Sequence, residues 1–269
     1  TATSAMCLTG LIVVDTPVHW PGFGQAVILG LIQVGGLGIM TMASLVGLML
    51  AHRIGLKARL NTAAEARAAE LGDVRGGVVG VVGMSLLIGA VPAAVMAVRF
   101  AVGYDEPVLR SLWLGVFHSV SAFNNAGFAL YSDNVIGFAT DPWICVPLMV
   151  AVILGGLGFP VLFEVGRRIR RSGSAAREHP RWSLHPRLTV YVTALLPRTL
   201  QSFGFADKVL VAAFQGTMPR TAGFNSVDYA QMDEATLLVT DVLMFIGGGS
   251  GGTAGGIKVT TFALLLFVM

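Results

Sequence analysis

The sequence predicts an all-α polytopic membrane protein built from repeated helix, re-entrant loop and helix units. Three observations carry that expectation. The chain is 54% hydrophobic and 12% charged, with a mean hydropathy of +0.74, far from a soluble composition. Runs at 24–50, 77–98 and 142–165 are long enough to cross about 30 Å of hydrocarbon, which takes about 20 mostly apolar residues. Buried helices of soluble proteins are shorter, averaging about 11–12 residues. Finally, a short glycine-containing turn recurs three times outside these runs.

Taken in order, the first turn is Cys7-Leu8-Thr9-Gly10-Leu11, followed by Asp15 and the run 24–50, which contains Gly35-Gly36-Leu37-Gly38. A basic segment and the run 77–98 lead to Asp105, Glu106 and Arg110, then to a short helix over 113–121. The second turn, Asn124-Asn125-Ala126-Gly127-Phe128, comes next, then Asp133, Asp141 and the run 142–165 with Gly155-Gly156-Leu157-Gly158. A second basic segment, nine mostly apolar residues at 188–196 and a short helix over 207–216 precede the third turn, Arg220-Thr221-Ala222-Gly223-Phe224. After Asp228, Asp233 and Glu234, a fourth apolar run starts at Thr236 and is broken at Gly247-Gly248-Gly249. The turn glycine and the glycine cluster are 25, 28 and 24 residues apart in the three copies, too regular for coincidence.

This periodicity divides the chain into a first repeat at 1–52, a loop at 53–76, a second repeat at 77–165, a basic loop at 166–187 and a third repeat at 188–269. The turn glycines are 117 residues apart between the first two copies but 96 between the second and third. The difference is about one membrane helix, so we expect the first helix of the third repeat to lack most of its residues near 196–199. A first ascending helix and a fourth repeat are expected outside the sequence.

Net charge is only +3, but its placement is telling. Residues 51–76 and 166–187 hold 12 of the 18 Lys and Arg residues, whereas the segments at the opposite ends of the runs are acidic on balance. The basic loops therefore face the cytoplasm, and the acidic side can enrich cations outside. The arginine cluster is read as a topology signal in contact with anionic lipid rather than as a nucleic-acid site. Cys7 and Cys145 suggest neither a metal site nor a disulfide framework.

Short helices and irregular backbone at membrane depth are tolerated where they line a cavity or are buried in protein. Glycine permits backbone angles that turn carbonyls toward an axis, and carbonyls from several loops can replace the hydration shell of a cation. Gly10, Gly127 and Gly223 are read in this way. Gly35, Gly36, Gly38, Gly155, Gly156 and Gly158, inside the long runs, are read as close-packing positions.

These phrases, with Gln33-Val34-Gly35-Gly36-Leu37-Gly38 and Phe245-Ile246-Gly247-Gly248-Gly249-Ser250-Gly251-Gly252-Thr253-Ala254-Gly255-Gly256-Ile257-Lys258, resemble the signatures of the Trk/Ktr/HKT superfamily of potassium transporters. The basic loops look closer to the bacterial Ktr branch. The resemblance covers the chain from Thr1 to Met269. It implies four repeats around a central ion pore in each subunit, a homodimer in the cell membrane, and a cytosolic nucleotide-binding regulatory ring of TrkA/KtrA-like subunits. It implies a potassium selectivity filter at Leu8, Thr9, Gly10, Asn125, Ala126, Gly127, Thr221, Ala222 and Gly223, with no organic cofactor in this chain. Sodium as an activator is left open. Gly10 favours potassium, since sodium-preferring plant relatives carry serine there.

Seven glycines between 247 and 256 cannot stay helical, each costing about 1 kcal/mol relative to alanine, and only about 11 residues of helix precede them. The resemblance makes this stretch, Gly247, Gly248, Gly249, Ser250, Gly251, Gly252, Thr253, Ala254, Gly255 and Gly256, a gate beneath the filter. Lys258 either places a positive charge near the path or snorkels to the cytoplasmic surface. Gly248-Gly249-Ser250-Gly251-Gly252 also fits the G-x-S-x-G pattern, but no strand precedes it, and an enzyme is not expected. The rival reading is a secondary transporter of another small cation or solute, which inverted repeats would favour. At apparent membrane depth, Asp241 is read as pairing with Arg220 or sitting near the outer mouth and His118 as making a packing hydrogen bond, with a functional role open for each.

Overall fold

The computed structural model describes residues 1–53, 74–157, 204–219, 222–248, 252–258, 261–262 and 265. Among them the regular structure is helical, with one isolated bridge between Ile246 and Ile257. The basic loop at 166–187, the segment 188–199 and most of the loop 53–76 lie outside the described residues.

The helices are α1 (Ala2–Cys7), α2 (Thr16–His19), α3 (Gly22–Arg53), α4 (Val74–Gly103), α5 (Val108–Phe123), α6 (Pro142–Leu157), α7 (Phe205–Thr217) and α8 (Glu234–Phe245). The helix α4 begins at Val74, within the stretch read as loop. The short helices also run further than expected, at Val108–Phe123 and Phe205–Thr217.

Within α4 the stretch Val82–Gly103 is long and apolar enough to span a bilayer. Its side chains are arranged as lipid requires: Leu86, Leu87, Val91, Val98 and Val102 are exposed, while Met96 and Phe100 are buried. In water such a face would be an unusually large apolar patch. Pro92 and Pro147 lie inside α4 and α6, and neighbouring elements in a membrane fold can supply the hydrogen bonds they forgo.

The helix α1 packs on α3, α4, α5 and α6 all pack on one another, and α7 reaches α6. The common core is aromatic and aliphatic, with Phe117, Phe128, Phe214, Phe224, Ile144 and Leu148 fully buried. On the outer side, Phe138 meets Phe100 at 5.6 Å and Tyr131 at 4.8 Å between ring centroids, both edge to face, a favoured aromatic geometry.

Asp141, one of the acidic residues on the side read as external, is not a free surface charge. Its carboxylate is 5% exposed and pairs with the Arg99 guanidinium at 2.6 Å. It also accepts from the Tyr104 hydroxyl (3.0 Å) and the Trp143 backbone N–H (3.0 Å). Asp141 therefore locks the top of α4 to the start of α6, and its charge is offset locally. Asp15 accepts from the Ser132 hydroxyl and so links the first two repeats. Removing the charge with Asp141→Asn leaves Arg99 without its carboxylate partner. The detergent-solubilised full-length protein is expected to melt several degrees lower, in a thermal-shift assay.

Candidate functional site

The backbone of the first two turns is determined by how their helices end. A helix terminates with four carbonyls that have no intrahelical donor. At α5, Ser121 O accepts from Ala126 N (2.8 Å) and Ala122 O from Asn125 N (3.0 Å). At α1, Ser4 O accepts from Thr9 N (3.0 Å) and Ala5 O from Leu8 N (3.4 Å). Both are Schellman motifs, which need a left-handed residue after the helix. Asn125 (φ 55) and Leu8 (φ 58) supply it. Asn tolerates this conformation, whereas leucine pays about 1–2 kcal/mol.

Two residues later the first two turns reach glycines that are again left-handed, Gly10 at φ +71 and Gly127 at +72, and the glycine of the third turn, Gly223, matches them at +74. The three turns meet. A Cβ on Gly127 would lie 2.7 Å from Gly223 Cα and 2.8 Å from Ala222 O, and one on Gly10 would lie 2.8 Å from Ala126 O. The fold thus brings Leu8, Thr9, Gly10, Asn125, Ala126, Gly127, Ala222 and Gly223 to one place. Thr221 lies outside the described residues, as does Arg220, so a pairing of Arg220 with Asp241 does not come into view. Asp241 is exposed on α8.

The glycine clusters of the long helices pack against the ends of the short ones. A Cβ on Gly35 would lie 2.0 Å from Met6 O, one on Gly155 1.7 Å from Phe123 O, and one on Gly36 1.9 Å from the Asn124 side-chain oxygen. Met6 and Phe123 each stand four residues before their turn glycine, so the contact itself repeats. Each descending helix is bare where the end of a short helix abuts it. Gly38, by contrast, has open space at its Cβ position, and Gly158 lies outside the described residues.

Further side chains clamp the turns, and sequence reasoning did not single most of them out. Buried His118 donates through Nδ1 to Leu114 O (2.8 Å) and accepts through Nε2 from Leu130 N (3.3 Å). With the Ser121 hydroxyl donating to Phe128 O (2.8 Å), it staples α5 to the chain leaving the turn, which is the packing role. Asn134 donates to Gly223 O (3.4 Å) and accepts from Asn225 N (3.4 Å), tying the second repeat to the third turn. Its only sequence signal is the turn-forming Ser132-Asp133-Asn134. Asn124 donates to Gln33 Oε1 (3.0 Å), and Gln33 to Ser85 Oγ (3.3 Å), joining α5, α3 and α4.

Beyond Phe245 the fourth run leaves the helix and returns on itself. Gly247 N donates to Ile257 O (2.9 Å) and Ile257 N to Phe245 O (2.9 Å), closing the stretch 247–256 at its base. Gly256 is left-handed at φ +70. Gly248 and Gly252 sit against Gly156 O, their Cβ positions 2.6 and 2.4 Å from it. Thr253 and Ala254 are buried. Thr253 N donates to Gly155 O (3.3 Å), and its hydroxyl accepts from Asn125 Nδ2 (2.7 Å) and donates to Phe123 O (3.3 Å). The Lys258 ammonium turns back onto the loop, donating to Ala254 O (2.5 Å) and Gly252 O (3.4 Å). Gly249, Ser250 and Gly251 lie outside the described residues.

Comparison with known proteins agrees with this architecture. The family model described as TrkH, cation transport protein, matches residues 1–267. The chain is 40% identical over 281 residues to the Ktr system potassium uptake protein B of Bacillus subtilis, covering 99% of this chain and 61% of that protein. It is 39% identical over 276 residues to its counterpart in Vibrio alginolyticus, covering 98% and 60%. The crystal structure of the potassium transporter TrkH from Vibrio parahaemolyticus superposes with a TM-score of 0.69 at 20% identity, covering 98% of this chain and 52% of that one. The chain spans about three-fifths of the length of these curated relatives.

The contacts of Gly35 and Gly155 generate a sharp contrast. Gly155→Ala or Gly35→Ala places a methyl inside a backbone carbonyl and is expected to cost roughly 1–3 kcal/mol or more. Gly30, also helical, has nothing within 4 Å of its Cβ position, and Gly30→Ala is expected to be neutral or stabilising by up to about 1 kcal/mol. Size-exclusion profiles and melting curves of the full-length variants check both.

Proposed function

The chain belongs to the TrkH cation transport family, and from that premise we propose that the complete protein takes up potassium across the cell membrane, with the three glycine turns in its selectivity filter and the loop 247–256 as its gate. The observation that carries this reading is the meeting of Gly10, Gly127 and Gly223, each left-handed within a few degrees of the others. A ring of backbone carbonyls replaces the hydration shell of a cation. Turns whose glycines lie in contact have the geometry such a ring needs. Helices α1, α5 and α7 end at the turns, so the negative ends of their dipoles lie beside a passing cation. No carboxylate is required at the ion.

The shared sense of the repeats also favours a pore over a secondary transporter. Two copies have the same Schellman ending and the same glycine-on-carbonyl contact, whereas the rival reading is favoured by inverted copies. The loop suits a gate because it is glycine-rich, with the Lys258 ammonium bound to its carbonyls. A fixed positive charge there opposes cation passage while the loop is in place. The relatives named as potassium uptake proteins support potassium as the ion. The same reading includes a plasma-membrane homodimer, the domain limits given above with a fourth repeat completing the ring, and a cytosolic nucleotide-binding regulatory partner.

The test is rubidium uptake by liposomes holding the complete protein. Excess potassium is expected to abolish uptake and equal sodium to leave most of it; equal competition by the two ions sinks the selectivity assignment. Gly10→Ser is expected to narrow the difference between the two ions. Replacing residues 248–255 by a few alanines is expected to raise uptake several-fold. A folded variant with unchanged or lower uptake removes the gate from the loop.

A further inference from the structure

Resting on the transport reading, we propose that Thr253 couples the loop to the filter, so that loop position and the shape of the second glycine turn form one equilibrium. The side chain sits where three structures meet. Its hydroxyl accepts from Asn125 Nδ2 at 2.7 Å and donates to Phe123 O at 3.3 Å, and the residue is 4% exposed. Its backbone N–H holds Gly155 O on α6.

The carbonyls at the end of α5 show why this matters. Val120 O accepts from Asn124 N, Ser121 O from Ala126 N and Ala122 O from Asn125 N. The next carbonyl, Phe123 O, accepts from the Thr253 hydroxyl, 130 residues away in sequence. The loop therefore completes the cap of the short helix. Satisfying these carbonyls is a condition of ending a helix away from water.

The same hydroxyl fixes the Asn125 side chain, which is 1% exposed. Asn125 is the left-handed residue of the Schellman motif, and its neighbour Ala126 presents the carbonyl against which Gly10 packs. When the loop withdraws, Asn125 Nδ2 and Phe123 O lose a partner together. Any change in the backbone at Asn125 is then passed to Ala126 and to the first turn. By linkage, a filter shape that favours one loop position is in turn favoured by it.

Two measurements on the full-length protein test this. The first is rubidium uptake with potassium or sodium as competitor for Thr253→Val, which keeps the shape and removes the hydroxyl. Each lost hydrogen bond shifts a two-state equilibrium by about fivefold, and Thr253→Val loses both that the hydroxyl makes, so it is expected to raise uptake at least several-fold and to weaken discrimination between potassium and sodium. Thr253→Ser, which restores the hydroxyl, is expected to reverse both effects. The second is amide hydrogen exchange of the peptides containing Thr253 and Ala126, which needs no transport. Both are expected to exchange faster in Thr253→Val. Faster uptake with discrimination intact, or faster exchange at Thr253 with Ala126 unchanged, overturns the coupling. If the wild-type protein moves no rubidium, the transport reading falls, while the exchange of Ala126 still decides the coupling.

Discussion

The fold depends on how a helix can end inside a membrane. In water the last carbonyls of a helix are solvated, but at membrane depth each needs a protein donor. Here α5 ends at Phe123 and α1 at Cys7. The Schellman motif satisfies some of these carbonyls from within the turn, and that choice obliges Leu8 and Asn125 to be left-handed. The glycines two residues further on are left-handed as well, so the conformation of the turns grows out of the way the helices stop.

From this follows the use of glycine in the long helices. A short helix that ends against a descending one brings carbonyls to its surface, and any Cβ there would occupy the same space. Gly35 and Gly155 give way to Met6 O and Phe123 O in this manner. Such contacts let the short helices come close enough for the three turns to touch. A methyl on either descending glycine therefore displaces a helix end, and with it the turn.

Much of this was legible in the sequence. Run lengths, the placement of arginines and the recurring turn led to repeated units with membrane helices, and Gly10, Gly127 and Gly223 were singled out by their place after short helices. The close packing of Gly35 and Gly155 was also expected, but its partners are backbone carbonyls, and a helix-packing pattern carries no hint of that. The contacts between distant polar residues left no trace: Asn125 with Thr253 and Asn134 with Gly223, which join repeats, and Arg99 with Asp141 within the second, are separated by 128, 89 and 42 residues. Periodicity reports which face of an element is apolar. It is silent on which polar side chain of one repeat completes another.

The broken fourth run follows from the same constraint. A helix interrupted at Phe245 exposes its own last carbonyls, and the chain resolves this by folding back. Ile257 N–H serves Phe245 O, and Gly247 N–H serves Ile257 O. Gly247 must be bare, because a Cβ there would fall 1.6 Å from Gly255 O. The base of the loop is thus bound by backbone pairs that need no particular side chain. Residues 252–254 are held by the N–H and hydroxyl of Thr253 and by the ammonium of Lys258. The loop is joined to α6 through backbone and to the end of α5 through a side chain, so displacing residues 252–254 uncovers Gly155 O along with Phe123 O.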